Sequence, residues 1–327
     1  MLKAAITAVG GYVPDTVLSN QDLEKMVDTN DEWIRSRTGI KERRILKDPT
    51  KATSFLAMQS ANDLISKKDL DPTTIDLVLV ATITPDLHVA ATAAYVASSI
   101  GATNAFAYDL NAACSGFLYG MSAAASYISS GRYKKVLLIG ADKMSSIVDY
   151  TDRTTCIIFG DGGGAVLFEP SVNEFGWEDE YFRSNGSERM SLRILSGGSL
   201  HPTTQETLDQ GSHNIHQEGK VVFKYAVSEM ANVAEQIMNR NDLENGKIDY
   251  LLPHQANKRI IDATASRLNL SDDKVLMNID RYGNTTAATL PLLLYDYESK
   301  LKKGDKLVFT AFGGGFTWGA AYLTWAY

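Results

Sequence analysis

The sequence predicts an α/β protein built from two similar halves. Short apolar runs alternate along the chain with longer segments whose apolar residues recur at helical spacing. Residues 241–252 lie over residues 68–79 without a gap, at an offset of 173, so part of this pattern occurs twice. With 327 residues, of which 44% are hydrophobic, the chain is long enough to bury a large core. Alternation of strands and helices predicts mostly parallel sheets covered by helices.

Breaker residues delimit the elements of the first half. The apolar residues before Gly10 predict a first strand, and the apolar run that ends before Pro85 predicts a buried one. Cys114 follows a short apolar strand and opens a segment whose apolar residues share one helix face. The predicted elements after the first strand are a helix from near residue 20, a helix at 54–67, a strand at 75–83, a strand at 104–108 and a helix from 114.

The second half repeats this order. The identical pairs within the first match are Asp69/Asp242, Leu70/Leu243, Ile75/Ile248 and Asp76/Asp249. Two later matches, at offsets of 170 and 171, are 105–114 with 275–284 and 135–139 with 306–310. Three landmarks at nearly one offset indicate a duplication, and we place the halves at residues 1–171 and 172–327.

The overlay of the two halves predicts where the chemistry lies. Matching strand ends face a shared crevice when two such halves pack together, so the loops after them are the place for a site. Those loops hold Cys114, His254 and Asn284. On this overlay His254 aligns near Ala81, and Asn284 takes the place that corresponds to Cys114.

Bulk properties exclude several classes of protein. A formal net charge of -7 argues against nucleic acid as a partner, although a local basic patch could receive an acidic protein. The two cysteines form no CxxC pair, so we expect no disulfide, no structural zinc and a cytoplasmic location. Residues 110–131 carry no charge over a length that would suit a membrane span. Because Asn111, five serines and three glycines make this stretch weakly apolar, we expect a central helix and no membrane insertion.

Cys114 is the candidate nucleophile. At a helix N-terminus, unpaired backbone N–H groups and the positive end of the helix dipole favour an anion. We therefore expect the pKa of the Cys114 thiol to fall, so that thiolate is available near neutral pH. Free cysteine is also common as a small buried hydrophobe, and the position alone does not decide between the two interpretations.

Two polar side chains complete a candidate site. His254 follows the apolar strand at residues 250–252, and Asn284 follows Gly283. A neutral imidazole, through Nε2, and a carboxamide can donate hydrogen bonds to an oxyanion or enolate that forms in front of a cysteine sulfur. Taken alone, a histidine in this position is more often structural than catalytic, but the duplication favours the catalytic interpretation of His254.

Three further features are predicted to be structural. Cys156 lies in an apolar run and is predicted to be a buried strand residue. The glycines at 162–164 lack the Lys-Ser/Thr of a phosphate loop, and we expect a tight turn there. His213 and His216 have a His-x-x-His spacing without a third ligand nearby, so no metal site is predicted.

Six short motifs occur in order along the chain. They are Asp31-Glu-Trp-Ile-x-x-Arg37-Thr-Gly-Ile, Asn111-Ala-Ala-Cys-Ser-Gly-Phe, Phe159-Gly-Asp-Gly-Gly-Gly-Ala, Pro253-His-Gln-Ala-Asn, Gly283-Asn-Thr and Ala311-Phe-Gly-Gly-Gly-Phe-Thr-Trp-Gly. Over essentially its whole length, the chain resembles the β-ketoacyl-acyl-carrier-protein synthase III family. The resemblance implies the condensing enzyme that initiates dissociated (type II) fatty-acid synthesis, with a five-layered αβαβα thiolase-like fold. It also implies a homodimer and no metal or other cofactor, since CoA thioesters are substrates.

The resemblance implies a role for each member of the trio. Cys114 would attack the thioester of an acyl-CoA primer. The backbone N–H groups of Cys114 and Gly314 would form the oxyanion hole, where glycine allows a close approach. His254 and Asn284 would stabilise the enolate that forms when malonyl-acyl-carrier protein loses CO2. The product would be a β-ketoacyl-acyl-carrier protein.

The resemblance also implies binding sites for both substrates. The residues are Trp33 and Arg153 around the CoA adenine, Thr29 and Arg37 at the nucleotide edge and phosphates, Gly219, Phe223 and Asn257 along the pantetheine tunnel, and Lys224, Lys258 and Arg259 for docking of the acidic carrier protein. An indole and a guanidinium both stack on aromatic faces, and a basic patch attracts an acidic partner.

Two positions depart from the family pattern. Lys220 stands where the family often has an Asn, so the resemblance does not carry that amide contact to pantetheine over to this chain. Val89 stands where many members carry a Phe that reaches across the dimer to close the primer pocket. A smaller side chain at position 89 could admit a longer or branched acyl group, so the identity of the primer stays open.

Other functions remain to be separated from this one. A specialised relative would make a different ketoacyl, quinolone or polyketide product. A Cys-His-Asn hydrolase would release the acyl group to water, and a non-catalytic scaffold would not be acylated. A degradative thiolase is disfavoured because the glycine-rich segment 313–319 has no second Cys, and an elongating enzyme because Asn284 stands in place of a second His.

Overall fold

The computed structural model describes residues 2–244 and 246–327. Its strands are β1 (Ala4–Tyr12), β2 (Val17–Ser19), β3 (Glu42–Arg44), β4 (Leu77–Ala81), β5 (Phe106–Leu110), β6 (Val136–Asp142), β7 (Gly162–Pro170), β8 (Trp177–Ser184), β9 (Leu192–Ile194), β10 (Ile215–Gln217), β11 (Tyr250–Pro253), β12 (Lys306–Gly313) and β13 (Thr317–Thr324). Its α-helices are α1 (Asn20–Leu23), α2 (Asp31–Thr38), α3 (Thr53–Lys68), α4 (Thr92–Ser99), α5 (Gly116–Ser129), α6 (Gln205–Asp209), α7 (Gly219–Arg240), α8 (Lys258–Arg267), α9 (Ile279–Tyr282) and α10 (Thr289–Tyr297).

The predicted elements of the first half are confirmed, with shifted ends. The helix at 54–67 is α3, and the strands at 75–83 and 104–108 are β4 and β5. The helix near residue 20 is the four-residue α1. The helix predicted from Cys114 begins as a single 3-10 turn, Ala113–Ser115, which leads directly into α5.

Two of the structural predictions were wrong. Cys156 is buried, as predicted, but it lies in a run of turns rather than in a strand. The glycines at 162–164 begin β7 instead of forming a turn. A Cβ at Gly163 would lie 2.7 Å from the backbone oxygen of Leu56, and one at Gly164 would lie 2.7 Å from Cβ of Pro291. The glycines therefore allow α3 and α10 to pack closely on the two faces of β7.

Two mixed sheets carry the fold. One has the strand order β1-β7-β6-β4-β5, and the other has the order β11-β12-β13-β8. The pairs β6–β4, β4–β5 and β11–β12 are parallel, and the remaining neighbours in both sheets are antiparallel. Three of the seven pairs are thus parallel and four are antiparallel, so the sheets are mixed rather than mostly parallel. Each sheet has one edge strand paired in parallel, β5 or β11, and one paired antiparallel, β1 or β8.

Helices and sheets stack in five layers, and the predicted thiolase-like α/β fold is confirmed. Helices α3 and α4 cover one face of the five-stranded sheet, and α7, with α8 packed on it, covers one face of the four-stranded sheet. Helices α5 and α10 lie between the sheets. The central core joins Phe117 of α5 and Leu290 of α10 to apolar residues of both sheets, such as Leu138 and Phe309. Among the described residues, no helix is long and apolar enough to cross a membrane.

The internal repeat appears in the backbone conformation, at an offset of 173. The identical residues Asp69 and Asp242 both have left-handed backbones, with φ of 50° and 54°. Ala113 and Thr286, also 173 residues apart, share this conformation with φ of 48° and 52°. The counterpart of Cys114 is therefore Ala287. The predicted match of Asn284 with Cys114 was wrong by three residues, and Asn284 instead corresponds to Asn111.

Candidate active site

One cavity of about 1010 Å³ holds all three residues of the predicted trio, Cys114, His254 and Asn284. Both halves of the chain contribute to its walls. Its apolar lining includes Ile83, Ile158, Phe159, Val222, Ala226, Ile260 and Phe312. A cavity of this size, mostly apolar with a few convergent polar groups, is typical of a small-molecule site.

Cys114 lies in the 3-10 turn that precedes α5 and is 6% exposed. Burial raises the pKa of its thiol to about 12, and the nearby Asp142 carboxylate contributes to the increase. This direction is opposite to the sequence-based expectation. The helix N-terminus is present, but the side chain has lost contact with water and lies near a second buried acidic group, and both effects disfavour a thiolate.

His254 follows β11 and is 1% exposed. Its backbone N–H donates to the carbonyl of Thr310 at 2.8 Å, which ties the residue to β12. Its Nδ1 lies 2.7 Å from Oγ1 of Thr289, the first residue of α10. Burial lowers the pKa of His254 to about 3, so the imidazole is neutral at pH 7. With Nδ1 engaged by Thr289, Nε2 is the ring nitrogen left for a group in the cavity.

Asn284 is held between the two halves. Its backbone N–H donates to the carbonyl of Ile158 at 2.9 Å, and its carbonyl accepts from the N–H of Gly160 at 3.1 Å. Its side-chain Oδ1 accepts from the backbone N–H of Thr286 at 2.8 Å. Because the amide oxygen is occupied, the NH2 group is the part of the carboxamide that can donate to a ligand.

Asp142 at the end of β6 is a buried carboxylate that sequence reasoning did not identify. Its Oδ1 accepts from Thr82 Oγ1 and the N–H of Ile83, both at 2.8 Å, and from the N–H and hydroxyl of Thr84. Its Oδ2 accepts from the hydroxyl of Thr286 and from the N–H of Ala287 at 3.3 Å. Asp142 therefore fastens the turn that orients Asn284 to the first half of the chain. A single acid at the end of an apolar run carries no sequence signal for this role.

The glycine-rich strand connection packs directly on the cysteine turn. A Cβ at Gly313 would lie 2.7 Å from the backbone nitrogen of Cys114 and 3.0 Å from that of Ser115. The hydroxyl of Thr317 donates to the carbonyl of Ala112 at 2.8 Å. Gly314, predicted as the second oxyanion donor, also lines the cavity.

Trp33 and Arg153, predicted to enclose adenine, contact each other in this structure. The guanidinium carbon lies 5.6 Å from the centre of the indole ring, and the guanidinium also donates to the carbonyl of Asp28 at 2.9 Å. A planar ring between two stacked groups needs about 7 Å, because each face requires a contact of about 3.5 Å. Arg153 must therefore move before a base can enter between the two side chains.

Only some of the residues predicted to bind the nucleotide line the cavity. Arg37 lines the cavity, as Trp33 does, whereas Thr29 and Arg153 do not. Thr29 follows Asp28, the partner of Arg153, and its buried hydroxyl oxygen has no hydrogen-bond partner among the described residues.

The three predicted tunnel residues, Gly219, Phe223 and Asn257, all line the cavity. Asn257 caps α8, and its Oδ1 accepts from the N–H of Arg259 at 2.9 Å, which leaves its NH2 group free to donate. A Cβ at Gly219 would meet no atom within 4 Å, so the space beside this residue is open.

The three predicted docking residues lie in different surroundings. Arg259 lines the cavity, with its guanidinium carbon 4.9 Å from the centre of the Phe223 ring. Lys258 lies outside the cavity, and its Nζ is 2.7 Å from Oδ2 of Asp262. Lys224 is exposed on α7 and does not line the cavity. Only Arg259 is therefore placed at the entrance itself.

The ribbon of β9 and β10 forms part of the cavity wall and was missed from the sequence. Its residues at the cavity are Leu192, Arg193, Ile194, Ile215 and Gln217, and Arg189 lies just before it. The strands have three residues each, too short for a clear alternating pattern. Five cationic side chains line the cavity: Arg193 in the ribbon, Arg189 just before it, and Arg37, Lys220 and Arg259 from elsewhere. None of the described lining residues is acidic.

The fold and this site together define a class of protein: thiolase-fold enzymes with a buried cysteine at a helix start. Comparison with known proteins agrees. The sequence matches 3-oxoacyl-[acyl-carrier-protein] synthase III at residues 108–186 and the C-terminal region of that family at residues 238–325. The chain belongs to the β-ketoacyl-[acyl-carrier-protein] synthase III family.

Similar proteins cover the full length of the chain. It is 53% identical over 326 residues to β-ketoacyl-[acyl-carrier-protein] synthase III 2 of Bacteroides thetaiotaomicron, covering 100% of this chain and 97% of the relative. It is 55% identical to the synthase III of Chlorobium chlorochromatii, covering 99% of this chain and 100% of the relative. The crystal structure of 3-oxoacyl-[acyl-carrier-protein] synthase III from Aquifex aeolicus superposes with a TM-score of 0.90 at 40% identity, covering 98% of this chain and 100% of that chain. Among the described residues, no group of three or more His, Cys, Asp and Glu side chains could hold a metal ion.

Proposed function

We propose that this enzyme condenses an acyl-CoA primer with malonyl-acyl-carrier protein and so initiates type II fatty-acid synthesis. The products are a β-ketoacyl-acyl-carrier protein, CoA and CO2. One observation carries the proposal: a cysteine, a histidine and an asparagine side chain all line the same cavity. A nucleophile and two neutral donors suit acyl transfer followed by stabilisation of an enolate.

The first half-reaction acylates Cys114. The thiol loses its proton, the sulfur attacks the thioester carbonyl, and the bond from the carbonyl carbon to the CoA sulfur breaks. CoA leaves and takes up the proton that Cys114 lost. The backbone N–H groups of Cys114 and Gly314 stabilise the oxyanion, and the close packing of Gly313 on the cysteine turn supports this geometry.

The second half-reaction forms the carbon–carbon bond. The malonyl group loses CO2, and the electron pair of the broken bond becomes an enolate whose oxygen accepts from His254 Nε2–H and Asn284 NH2. The enolate carbon attacks the acyl carbonyl, and the bond to sulfur breaks to release the Cys114 thiolate. The thiolate takes up a proton from solvent, which regenerates the starting thiol. The low pKa of His254 supports its role as a neutral donor.

Charge at the cavity supports anionic substrates. Five cationic lining residues, without an acidic one among those described, suit the phosphates of CoA and of the carrier protein's phosphopantetheine. We assign Trp33, Arg37 and Arg153 to the nucleotide, with Arg153 moving aside. Thr29 is also assigned to the nucleotide. Gly219, Phe223 and Asn257 are assigned to the pantetheine arm. We assign docking of the acidic carrier protein to Arg259, Lys224 and Lys258, of which Lys258 is paired with Asp262 in the free protein.

We also propose a homodimer in the cytoplasm. β5 is the last strand of its sheet, and apolar side chains nearby are exposed: Leu87 (65%), Val89 (100%), Tyr95 (58%) and Phe106 (40%). An unpaired edge beside exposed apolar groups is a typical association surface. The two free cysteines are consistent with a reducing compartment.

The function is tested by separating the two half-reactions. We expect acyl-CoA to add one acyl mass to Cys114, and a panel of acetyl-, isobutyryl- and octanoyl-CoA to show which primer the protein accepts. His254→Ala and Asn284→Ala should still be acylated but lose malonyl decarboxylation by about 100- to 1000-fold, as when one oxyanion donor is removed. Intact-mass spectrometry follows the first step, and CO2 release follows the second.

Each competing function has its own outcome. Full condensation by either variant would refute the roles of His254 and Asn284. Repeated release of free acid from acyl-CoA alone would indicate a hydrolase, and no mass increment would indicate a scaffold. A product other than the β-ketoacyl-carrier protein would indicate a specialised relative.

A further inference from the structure

We propose that Thr289 is a positioning residue that fixes the tautomer of His254. Its hydroxyl donates to Nδ1, so that the proton of the neutral imidazole resides on Nε2, in the direction of the cavity. This inference rests on the proposed function, because it explains how His254 becomes a donor to the enolate.

The contact is short and shielded from solvent. Oγ1 of Thr289 lies 2.7 Å from Nδ1, and Thr289 and His254 are 2% and 1% exposed. Among the described residues, Nδ1 has no other hydrogen-bond partner. Which nitrogen of a neutral histidine carries the proton is set by the hydrogen bond that the other nitrogen makes. Burial keeps the ring neutral at pH 7, which supports a tautomeric rather than a charged state.

A second acceptor competes for the single hydrogen of the hydroxyl. The carbonyl of Thr286 lies 3.0 Å from Oγ1, but it already accepts the backbone N–H of Thr289. The contact with His254 is 0.3 Å shorter. The Thr286 carbonyl is thus satisfied without the hydroxyl, whereas an unprotonated Nδ1 has no other donor among the described residues. On that ground we assign the hydroxyl hydrogen to Nδ1.

The same turn orients the second donor. The N–H of Thr286 occupies Oδ1 of Asn284 at 2.8 Å, and the hydroxyl of Thr289 occupies Nδ1 of His254. One short segment thus directs an NH2 group and an Nε2–H group to the same cavity. A carbonyl oxygen that gains negative charge there meets two donors instead of an acceptor and a donor.

Kinetics of the separate steps provide the first test. Thr289→Val keeps the shape and removes the hydroxyl, and we expect decarboxylation to fall about 10- to 100-fold while acylation of Cys114 changes little. Thr289→Ser should restore most of the decarboxylation rate. Thr264→Val is the matched control, because Thr264 is a buried threonine whose hydroxyl donates to the carbonyl of Ile260 at 2.9 Å within α8. Equal loss of both steps in Thr289→Val, or equal loss in the control, would overturn the proposal.

Nitrogen-15 NMR of the wild-type acyl-enzyme provides a second test, which reads the tautomer directly. His254 is identified by the resonances missing from His254→Ala. We expect Nδ1 to resonate as an unprotonated and Nε2 as a protonated ring nitrogen. A protonated Nδ1 would overturn the inference but leave the proposed function standing, provided that His254→Ala still loses decarboxylation. If His254→Ala condenses normally, the role of His254 fails, whereas the proposed function itself fails only if the wild type does not condense.

Discussion

At the scale of single residues, two effects act on the Cys114 thiol in opposite directions. Its position before α5 places it beside unpaired backbone N–H groups, which stabilise a thiolate. Burial, with the charge of Asp142, destabilises a thiolate and raises the pKa to about 12. Because burial is the larger cause, we expect the free protein to hold a neutral thiol at pH 7, which loses its proton only during acylation.

This balance predicts the pH dependence of alkylation. Below the pKa, the thiolate fraction grows about tenfold per pH unit, and thiolate is the reactive form. We therefore expect the rate of Cys114 alkylation by iodoacetamide to rise throughout the range from about pH 6 to pH 9. Peptide mass spectrometry after timed quenching measures the rate. Cys156, whose pKa burial raises to about 11, is the internal reference for a buried thiol. A plateau near pH 7 would mean that the helix terminus dominates.

At the scale of elements, the site depends on how closely the end of β12 approaches the start of α5. Gly313 is the last residue of β12, and its missing side chain is what allows this contact. The Ser115 hydroxyl also donates to the carbonyl of Thr317 at 3.0 Å, so both ends of the glycine-rich connection meet the cysteine turn. The positions of the two proposed oxyanion donors are therefore set by one interface.

A methyl group at this interface should disable acylation. In Gly313→Ala, the added Cβ would lie 2.7 Å from the Cys114 nitrogen, so β12 or the cysteine turn must shift. A displacement of about 1 Å at reacting groups can cost about 100-fold in rate, and overpacking costs about 1–3 kcal/mol of stability. Gly198→Ala is the control, since a Cβ there meets no atom within 4 Å. Acyl-enzyme formation and thermal unfolding measure the two effects. Normal acylation by Gly313→Ala would contradict this account.

Local patterns predicted elements better than they predicted contacts between them. The repeat was visible because Asp69 and Asp242 belong to a set of identical pairs at one offset, and the structure adds that both have the same left-handed conformation. The match between Cys114 and Asn284 failed because the strand pattern was extended through the loop that follows it, and only the left-handed backbone at Ala113 and Thr286, again 173 residues apart, reveals the register. Cys114, His254 and Asn284 were identifiable as chemical groups at strand ends.

Other features depended on distant neighbours. Asp142 takes its role from hydrogen bonds to residues about 60 and 145 positions away, which no local pattern encodes. The pKa of Cys114 is raised, whereas the sequence led us to expect that it is lowered. The sequence shows that a helix starts here but does not show how deeply the side chain is buried. The β9–β10 ribbon joins segments separated by about twenty mostly polar residues.

At the scale of the whole molecule, a second copy of the chain offers the simplest cover for the edge beside β5. Val89 is fully exposed in the protomer and does not line the protomer's own cavity. The family pattern, in which this position reaches across the dimer, would place it at the partner's primer pocket. Acyl preference would then depend on the dimer and not on the protomer alone.

A charge at position 89 should therefore weaken the dimer without unfolding the protomer. In Val89→Asp, each interface would bury two unpaired carboxylates, and at more than about 1.4 kcal/mol each the dissociation constant should rise at least about 100-fold. Val172→Asp is the matched control, because Val172 is 99% exposed and lies in the connection between β7 and β8. Sedimentation velocity over a dilution series measures both variants. If the wild type is monomeric, or if Val89→Asp dissociates no more readily than Val172→Asp, this surface is not the dimer interface.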